Sequence, residues 1–324
     1  MKGLLLALLL LSGPAFADSV IWNAATEYPA TAMPGEGLTA LAARVAILTR
    51  GHVTIVPGYD APNGLRSASI PYAVQGGRLQ VGDAFAGSIG TIDKLFQLSS
   101  LPFLATTEVD ARRLLDLARP AYASAFARLG QRILYVTPWP PSGIWSRVPI
   151  LGLDDLASLK IRTYDVTSTS VLNRAGATAI ELSFADATPR LRDGAVNAVL
   201  SSGDGGAGRK LWEFTPHFTE IGYAMPLSFA TVSEAALQLL APDTRAEVLR
   251  AGEETEAVQW HALTTRSAAN YATMRGNGVT ISAAPLALSQ ALAVAARDVI
   301  EAWERDAGPE AARVLTAYRN ARSH

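Results

Sequence analysis

The chain has 324 residues, of which 49% are hydrophobic and 18% are charged. This composition is typical of a folded globular protein, and the length suffices for two domains of ordinary size. A formal net charge of −1 gives no reason to expect nucleic acid or an anionic membrane surface as a partner. The absence of cysteine excludes disulfides, thiolate nucleophiles and cysteine-based metal sites.

Residues 1–17 have the pattern of a cleaved signal peptide. Lys2 is the basic start, residues 4–11 form a short apolar run, and Ala15-Phe16-Ala17 is an A-x-A cleavage site. The apolar run is too short to span a bilayer. We therefore expect export to the periplasm, where the remainder is released as a soluble protein.

Strands and helices alternate in the first part of the chain. Apolar alternation predicts strands at 19–24, 52–57, 79–86 and 131–136, and helical periodicity predicts helices at 38–48, 70–75 and 107–119. Pro120 should end or kink the helix before it, so a second helix is predicted from Pro120. Three prolines between 138 and 143 should break all regular structure, and we interpret this segment as a crossing between two lobes.

Residues 153–204 contain the clearest α/β pattern. Strand composition at 160–164, 179–182 and 196–200 alternates with helical segments at 168–174 and 187–192. Two right-handed crossovers in a parallel sheet are the expected result. Ligands of such sheets bind at the carboxyl ends of the strands.

Arg162 lies inside the first of these strands, between Ile161 and Thr163. A charge there is unusual, because parallel strands are buried on both faces and are nearly all apolar. One hypothesis is a carboxylate clamp, since a guanidinium donates to two oxygens at once and stays charged. The alternative is an edge-strand arginine paired with a nearby acid such as Asp154 or Asp165.

The last part of the chain is predicted to be mainly helical. A strand is expected at 219–225, a return to the first lobe at 226–232, and a short strand at 279–281. Residues 242–275 predict one helix of about 50 Å, long enough to run along both lobes. A final helical segment is predicted at 287–318.

Chemical motifs for catalysis are weak. Residues 203–208 match G-x-G-x-x-G, but they follow the third strand of their unit and not the first, which argues against a dinucleotide site. We interpret them as a flexible loop whose backbone N–H groups can meet an anion. The sequence has no nucleophile elbow, and its four histidines show no metal-ligand spacing. We therefore expect neither an enzyme nor a metal or cofactor site.

The order and spacing of several motifs resemble the solute-binding proteins of tripartite ATP-independent periplasmic (TRAP) transporters, in the dicarboxylate-binding-protein-like family. The resemblance covers nearly all of the chain after residue 17. The matching motifs are residues 51–57, VQGGRLQVGDAFA at 74–86, LPFL at 101–104, PILGLDDLASLKIRT at 149–163 and RAGATAIELSFADATPRLRDGAVNAV at 174–199.

The resemblance implies a two-lobed α/β periplasmic binding protein with a long helix spanning both lobes. Lobe I would comprise 18–139 plus 226–262, and lobe II 140–225 plus 263–324. It further implies that the protein binds a small organic acid between the lobes and delivers it to the membrane permease subunits of a TRAP transporter. By motif position the ligand-binding residues would be Arg162 for the carboxylate, together with Phe184, Ser201, Asn23, Phe85 and Ala86. Trp139 is a further candidate, as an aromatic residue that would cover the carbon skeleton of the ligand.

The sequence departs from the family pattern at a position that bears on the ligand. Ser142 stands where some relatives have a second arginine, which favours a monocarboxylate over a tight dicarboxylate site unless Arg66, Arg147 or Arg174 reaches the cleft. The sequence leaves open whether a cation binds together with the acid. It also leaves open two other functions: a receptor for an ATP-driven (ABC) importer or sensor kinase, and an exported hydrolase or lyase.

Overall fold

The computed structural model describes residues 19–322, so the predicted signal peptide at 1–17 lies outside the described part of the chain. The strands are β1 (Val20–Thr26), β2 (Val53–Gly58), β3 (Val81–Phe85), β4 (Gln131–Pro138), β5 (Ser142–Ser146), β6 (Lys160–Thr163), β7 (Thr178–Glu181), β8 (Ala198–Ser202), β9 (His217–Glu220), β10 (Leu227–Ser233) and β11 (Thr280–Ala283). The helices are α1 (Met33–Leu48), α2 (Ile70–Gln75), α3 (Glu108–Ala127), α4 (Leu153–Ala157), α5 (Val166–Arg174), α6 (Phe184–Arg192), α7 (Gly203–Gly208), α8 (Glu234–Gln238), α9 (Pro242–Gly276), α10 (Leu286–Asp306) and α11 (Gly308–Arg322).

Two sheets form two lobes. The first lobe contains a five-stranded sheet in the order β2-β1-β3-β10-β4, and the second contains a six-stranded sheet in the order β11-β9-β5-β8-β6-β7. In each sheet three neighbouring strands are parallel, β2-β1-β3 and β8-β6-β7. The expected two-lobed α/β architecture is confirmed.

The first lobe encloses an aromatic core. The ring centroids of Phe96 and Phe126 are 4.7 Å apart, and those of Tyr122 and Phe229 are also 4.7 Å apart. Tyr122 and Phe126 belong to α3, which runs unbroken through Pro120. The prediction of two helices was therefore wrong. The lost backbone hydrogen bond is outweighed by burial of the helix face on both sides of the proline.

In the second lobe, two elements differ from the prediction. Strand β5 was missed because Gly143 lies inside it; a Cβ there would come within 2.4 Å of the Phe218 ring, so the glycine allows strand and ring to pack closely. Helix α6 begins at Phe184, before the predicted residue 187, and continues through Pro189, because Phe184 and Ala187 are already buried.

Besides the passage from β10 to β11 through α9, the chain crosses between the sheets in two loops, and these two loop crossings are hydrogen-bonded to each other. The first runs from β4 to β5, as the proline-rich segment predicted, and the second runs from β9 to β10. Trp139 N–H donates to Pro226 O at 2.9 Å, and Ser142 N–H donates to Ala224 O at 2.9 Å. The crossings therefore form a narrow two-stranded link between the lobes.

Helix α9 is 35 residues long and spans both lobes, as predicted. It contacts α1 and β4 in the first lobe, and α7 and β11 in the second. No helix between residues 19 and 322 combines the length and the apolar character needed to cross a membrane.

The C-terminal helices differ from the predicted single segment. Helix α10 ends at Asp306, and α11 begins at Gly308, whose φ is +84°. Helix α10 packs on α4 and α5, whereas α11 packs on α3 and buries Leu315 and Tyr318 in the core of the first lobe. The assignment of all of 263–324 to the second lobe therefore does not describe α11. The remaining domain boundaries stay a prediction.

Candidate functional site

A small cavity lies between the two lobes. Both lobes and both crossings contribute to its wall. Its lining residues are Tyr28, Phe85, Trp139, Ser142, Arg162, Tyr164, Phe184, Ser201, Ser202 and Pro226. Phe85 ends β3 and Ser202 ends β8, so the cavity lies at the carboxyl ends of the parallel strands, where such sheets bind ligands.

Arg162 is the cationic residue in the cavity wall. Strand β6 places it between β7 and β8, where its side chain is only 2% exposed. Its Nε donates to Leu182 O at 2.8 Å and its Nη1 to Leu200 O at 3.3 Å. Within residues 19–322 no carboxylate forms an ion pair with it, so the alternative of pairing with Asp154 or Asp165 is not observed.

The two carbonyl bonds hold the guanidinium in place and leave its charge without a counter-ion. Burial lowers the pKa of Arg162, and the nearby Tyr28 and Glu27 act in the opposite direction. The guanidinium remains charged at any working pH, since its ordinary pKa is so high. A buried charge is unfavourable unless it is paired, so the cavity is electrostatically suited to an anion.

Aromatic rings form most of the remaining wall. The Tyr28 ring lies 4.7 Å from Trp139 and 5.5 Å from Phe184, and the Arg162 guanidinium lies 5.3 Å from the Phe184 centroid. Trp139 Nε1 donates to Ser228 Oγ at 3.0 Å, which fixes the indole and uses its one donor. Such a wall is suited to the carbon skeleton of a compact ligand.

Polar contacts between the lobes close the cavity. Glu27 accepts from Ser67 N–H in the first lobe at 2.7 Å and from Ala185 N–H in the second at 2.8 Å. Arg66 and Asp186 form an ion pair across the cleft at 2.7 Å, and its hydrogen bond lowers the pKa of Asp186. The structure is therefore that of a closed cleft.

A second interlobe contact centres on Arg266 of α9. Its guanidinium pairs with Asp204 of α7 and, at 3.0 Å, with Glu36 of α1. Asp204 also accepts from Met33 N–H at 2.9 Å and is only 1% exposed. The spanning helix thus connects both lobes through one arginine.

The glycine-rich segment 203–208 is the helix α7 and not a flexible anion-binding loop, so that prediction was wrong. A Cβ at Gly206 would come within 2.1 Å of the Trp145 ring, and a Cβ at Gly205 within 2.5 Å of Ser201 Oγ. These two glycines are explained by close packing against side chains.

Five of the seven predicted ligand-binding residues lie together in the cavity wall: Arg162, Phe184, Ser201, Phe85 and Trp139. Ala86 is buried beside Phe85, with its N–H donating to Leu227 O, and does not line the cavity. Asn23 is exposed in the middle of β1, where its N–H donates to Gln80 Oε1 at 2.9 Å. The structure does not bring Asn23 to the site.

Sequence reasoning missed half of the lining. The residues it did not select are Tyr28, Ser142, Tyr164, Ser202 and Pro226. Tyr164 follows Arg162 by two positions at the end of the same strand, and this spacing could have indicated it, because residues i and i+2 of a strand point to the same side.

The arginines considered for a second carboxylate are all engaged elsewhere. Arg66 pairs with Asp186, Arg147 donates to Leu191 O, and Arg174 pairs with Asp298 at 3.2 Å. Among residues 19–322, no three His, Asp or Glu side chains are arranged to hold a metal ion.

The fold and the interlobe cavity define a two-lobed solute-binding protein. The chain belongs to the bacterial extracellular solute-binding protein family 7, whose model matches residues 24–306. The expected relationship to TRAP receptors is thereby confirmed. A comparison with curated protein sequences finds no significant match.

Solved structures of TRAP-type receptors are similar over almost the whole chain. DctP6 of Bordetella pertussis, an extracytoplasmic solute receptor binding pyroglutamic acid, is 26% identical; the match covers 93% of this chain and 100% of that one, with a TM-score of 0.88. DctP7 of the same organism, also binding pyroglutamic acid, is 25% identical with the same coverage and TM-score. A TRAP periplasmic solute-binding protein of Shewanella oneidensis with bound succinate is 16% identical, covers 93% and 99%, and has a TM-score of 0.85.

Proposed function

We propose that this receptor captures a compact monocarboxylate, with pyroglutamate as the first candidate, and that Arg162 binds the carboxylate. The cleft closes around the ligand, and the closed protein delivers it to the membrane subunits of a TRAP transporter. No chemistry is performed on the ligand. Export to the periplasm through cleavage of residues 1–17 is part of the same proposal.

The observation that supports this proposal most strongly is the unpaired charge of Arg162. The guanidinium is buried in the cavity wall, is held by two carbonyls and has no acidic partner within residues 19–322. A carboxylate in the cavity would supply the missing negative charge and accept two parallel hydrogen bonds. No other arginine predicted for the cleft is free to do so.

A monocarboxylate is favoured over a dicarboxylate because, of residues 19–322, Arg162 alone contributes a cation to the cavity wall. Ser142 occupies the position of a second arginine in some relatives, and it lines the cavity as a neutral hydroxyl. The small, aromatic cavity is suited to a flat ring. Pyroglutamate is such an acid, and it is the ligand of the two Bordetella receptors that are 25–26% identical.

Catalysis receives no support from the site. The cavity contains a cation, aromatic rings and hydroxyl groups, but in the described part of the chain no histidine or carboxylate lines it to act as a general base. The alternative of an exported hydrolase or lyase is therefore not favoured. Turnover of a bound acid, detected by mass spectrometry after prolonged incubation, would contradict the proposal.

The experiment is a thermal-shift screen of the purified protein against organic acids, sugars and amino acids, followed by calorimetric titration of each hit. A ligand at a hundred times its Kd adds about 2.7 kcal/mol of stability, which is readily seen. We expect monocarboxylate hits with wild type and none with Arg162→Ala. Arg174→Ala, which removes an exposed arginine far from the cavity wall, is the matched control and should bind normally.

Two results would contradict the assignment. Hits confined to uncharged sugars or to amines would exclude a carboxylate receptor. Retention of wild-type affinity in Arg162→Ala would show that another group binds the acid.

A further inference from the structure

Within residues 19–322 the cavity wall contains a buried hydroxyl group that makes no hydrogen bond of ordinary geometry. It belongs to Tyr164, which is 5% exposed and lines the cavity, and the Ser142 hydroxyl lies near enough to lower its pKa. Its ring is fixed by edge contacts with Phe85, at 5.1 Å, and Tyr223, at 6.2 Å. A buried unsatisfied hydroxyl is unfavourable, so a bound ligand that supplies a partner removes this cost.

Two other polar groups of the cavity wall already make hydrogen bonds. Ser202 Oγ accepts from Gly205 N–H at 3.1 Å as the cap of α7, and Trp139 Nε1 donates to Ser228. Arg162 is reserved for the carboxylate. Among the wall hydroxyls within residues 19–322, that of Tyr164 is the one fully shielded from solvent without a hydrogen bond of ordinary geometry, so it gains most from a partner on the ligand.

The state of the phenol is suited to donation. Burial raises the pKa of Tyr164 well above its ordinary value, and the neighbouring Asp165 raises it further, while Ser142 and Arg162 act in the opposite direction. The hydroxyl is thus protonated at neutral pH. It can donate to a neutral oxygen but would not attract a second carboxylate as a cation does.

We propose that Tyr164 is a specificity-determining residue whose hydroxyl hydrogen-bonds a neutral polar group of the ligand while Arg162 binds its carboxylate. This inference rests on the proposed function. The ligand class is then a compact acid with one carboxylate and one neutral oxygen, such as a ring amide, an ether or a ketone. Pyroglutamate is one member of this class.

The test uses three five-membered-ring acids of similar size: pyroglutamate, tetrahydrofuran-2-carboxylate and cyclopentanecarboxylate. The first two have a neutral oxygen and the third has none. We expect wild type to bind at least one oxygen-containing acid about tenfold or more tighter than cyclopentanecarboxylate, by calorimetric titration. In Tyr164→Phe that preference should disappear, with the affinity for cyclopentanecarboxylate unchanged.

Two phenol variants serve as controls. Tyr223→Phe removes another buried, unpartnered hydroxyl that does not line the cavity, so it should keep the preference. Tyr28→Phe removes a hydroxyl of the wall itself. Loss of the preference in Tyr28→Phe together with its retention in Tyr164→Phe would overturn the assignment, and so would a wild type with no preference among the acids that it binds.

Arg162→Lys separates this inference from the function on which it rests. We expect that variant to weaken binding of all three acids by similar factors. If it binds every acid as wild type does, the proposed function fails. If Arg162→Lys loses affinity but Tyr164→Phe keeps the wild-type preference, the proposed function stands and only the proposed role of Tyr164 is contradicted. Thermal unfolding without ligand checks that each variant is folded.

Discussion

Two arginines at the lobe boundary, Arg266 partly buried and Arg162 fully buried, have opposite surroundings. Arg266 on α9 pairs with Asp204 of the second lobe and Glu36 of the first, and it also donates to Thr31 O. Arg162 in β6 is more deeply buried and donates to two neutral carbonyls. The comparison shows how to separate structure from function among buried charges. A charge that the protein neutralises itself stabilises the fold, whereas one that it leaves unpaired beside a cavity needs a ligand.

The largest effect is expected for Arg266→Met. Asp204 would keep its buried charge without a cation, and breaking a buried pair in this way costs about 3–5 kcal/mol. Denaturant unfolding of the protein without ligand measures this loss. The double variant Arg266→Met, Asp204→Asn should recover part of it, because the orphaned charge is then removed. A single variant as stable as wild type would show that the pair is not important for the fold.

Arg162→Met should give the opposite pattern. We expect acid binding to weaken by about 2–5 kcal/mol, because the ligand carboxylate would lose its buried partner. The free energy of unfolding without ligand should be unchanged or increased, since an unpaired buried charge is removed. Calorimetry measures the loss of acid binding, and the same denaturant titration measures the free energy of unfolding. A stability loss as large as that of Arg266→Met would contradict the comparison.

Asp83 extends the comparison to a buried acid in the first lobe. It is fully buried in β3, accepts a hydrogen bond from Thr26 at 2.8 Å, and burial raises its pKa to about 7. Between its ordinary pKa and pH 7 the folded state therefore binds more protons than the unfolded state. Stability should fall as pH rises through this range, by at most about 1.4 kcal/mol per pH unit from this group.

Asp83→Asn should remove that contribution. We expect the free energy of unfolding of the variant, relative to that of wild type, to be higher at pH 8 than at pH 4. Denaturant unfolding at both pH values measures it. An identical pH dependence in the two proteins would show that Asp83 does not titrate in this range.

The smallest effect is expected for Arg66→Ala. The ion pair of Arg66 with Asp186 crosses the mouth of the cleft but is partly exposed, so its loss should weaken ligand binding by no more than about 1 kcal/mol. The contribution should decrease with added salt. It should also vanish as pH falls through the depressed pKa of Asp186. Arg190→Ala, which breaks a pair within one lobe, is the control and should not alter affinity.

The sequence predicted Arg162 because one charge interrupts an apolar strand, and local composition is sufficient to show that. It also predicted the long helix α9 and the crossing at the proline-rich segment. Tyr28 and Tyr164 were missed because a tyrosine at a strand end is equally typical of a core residue. Whether its hydroxyl finds a partner depends on residues from both lobes.

The other errors have the same origin in distant contacts. The glycines of α7 match a nucleotide motif, yet Gly206 is explained by the ring of Trp145, which is far away in the sequence. Helix α3 continues through Pro120 because its face is buried against the first lobe. The position of α11 follows from Leu315 and Tyr318 entering a core that was formed by the first third of the chain.

The most direct test of the central claim compares one acid with its own primary amide. The two ligands have nearly the same shape and differ in the negative charge that Arg162 is proposed to bind. Calorimetric titration of the tightest-binding acid should show wild type preferring the acid by about a hundredfold or more, and Arg162→Met losing that preference. Equal affinities of wild type for acid and amide, or an undiminished preference in Arg162→Met, would contradict the account.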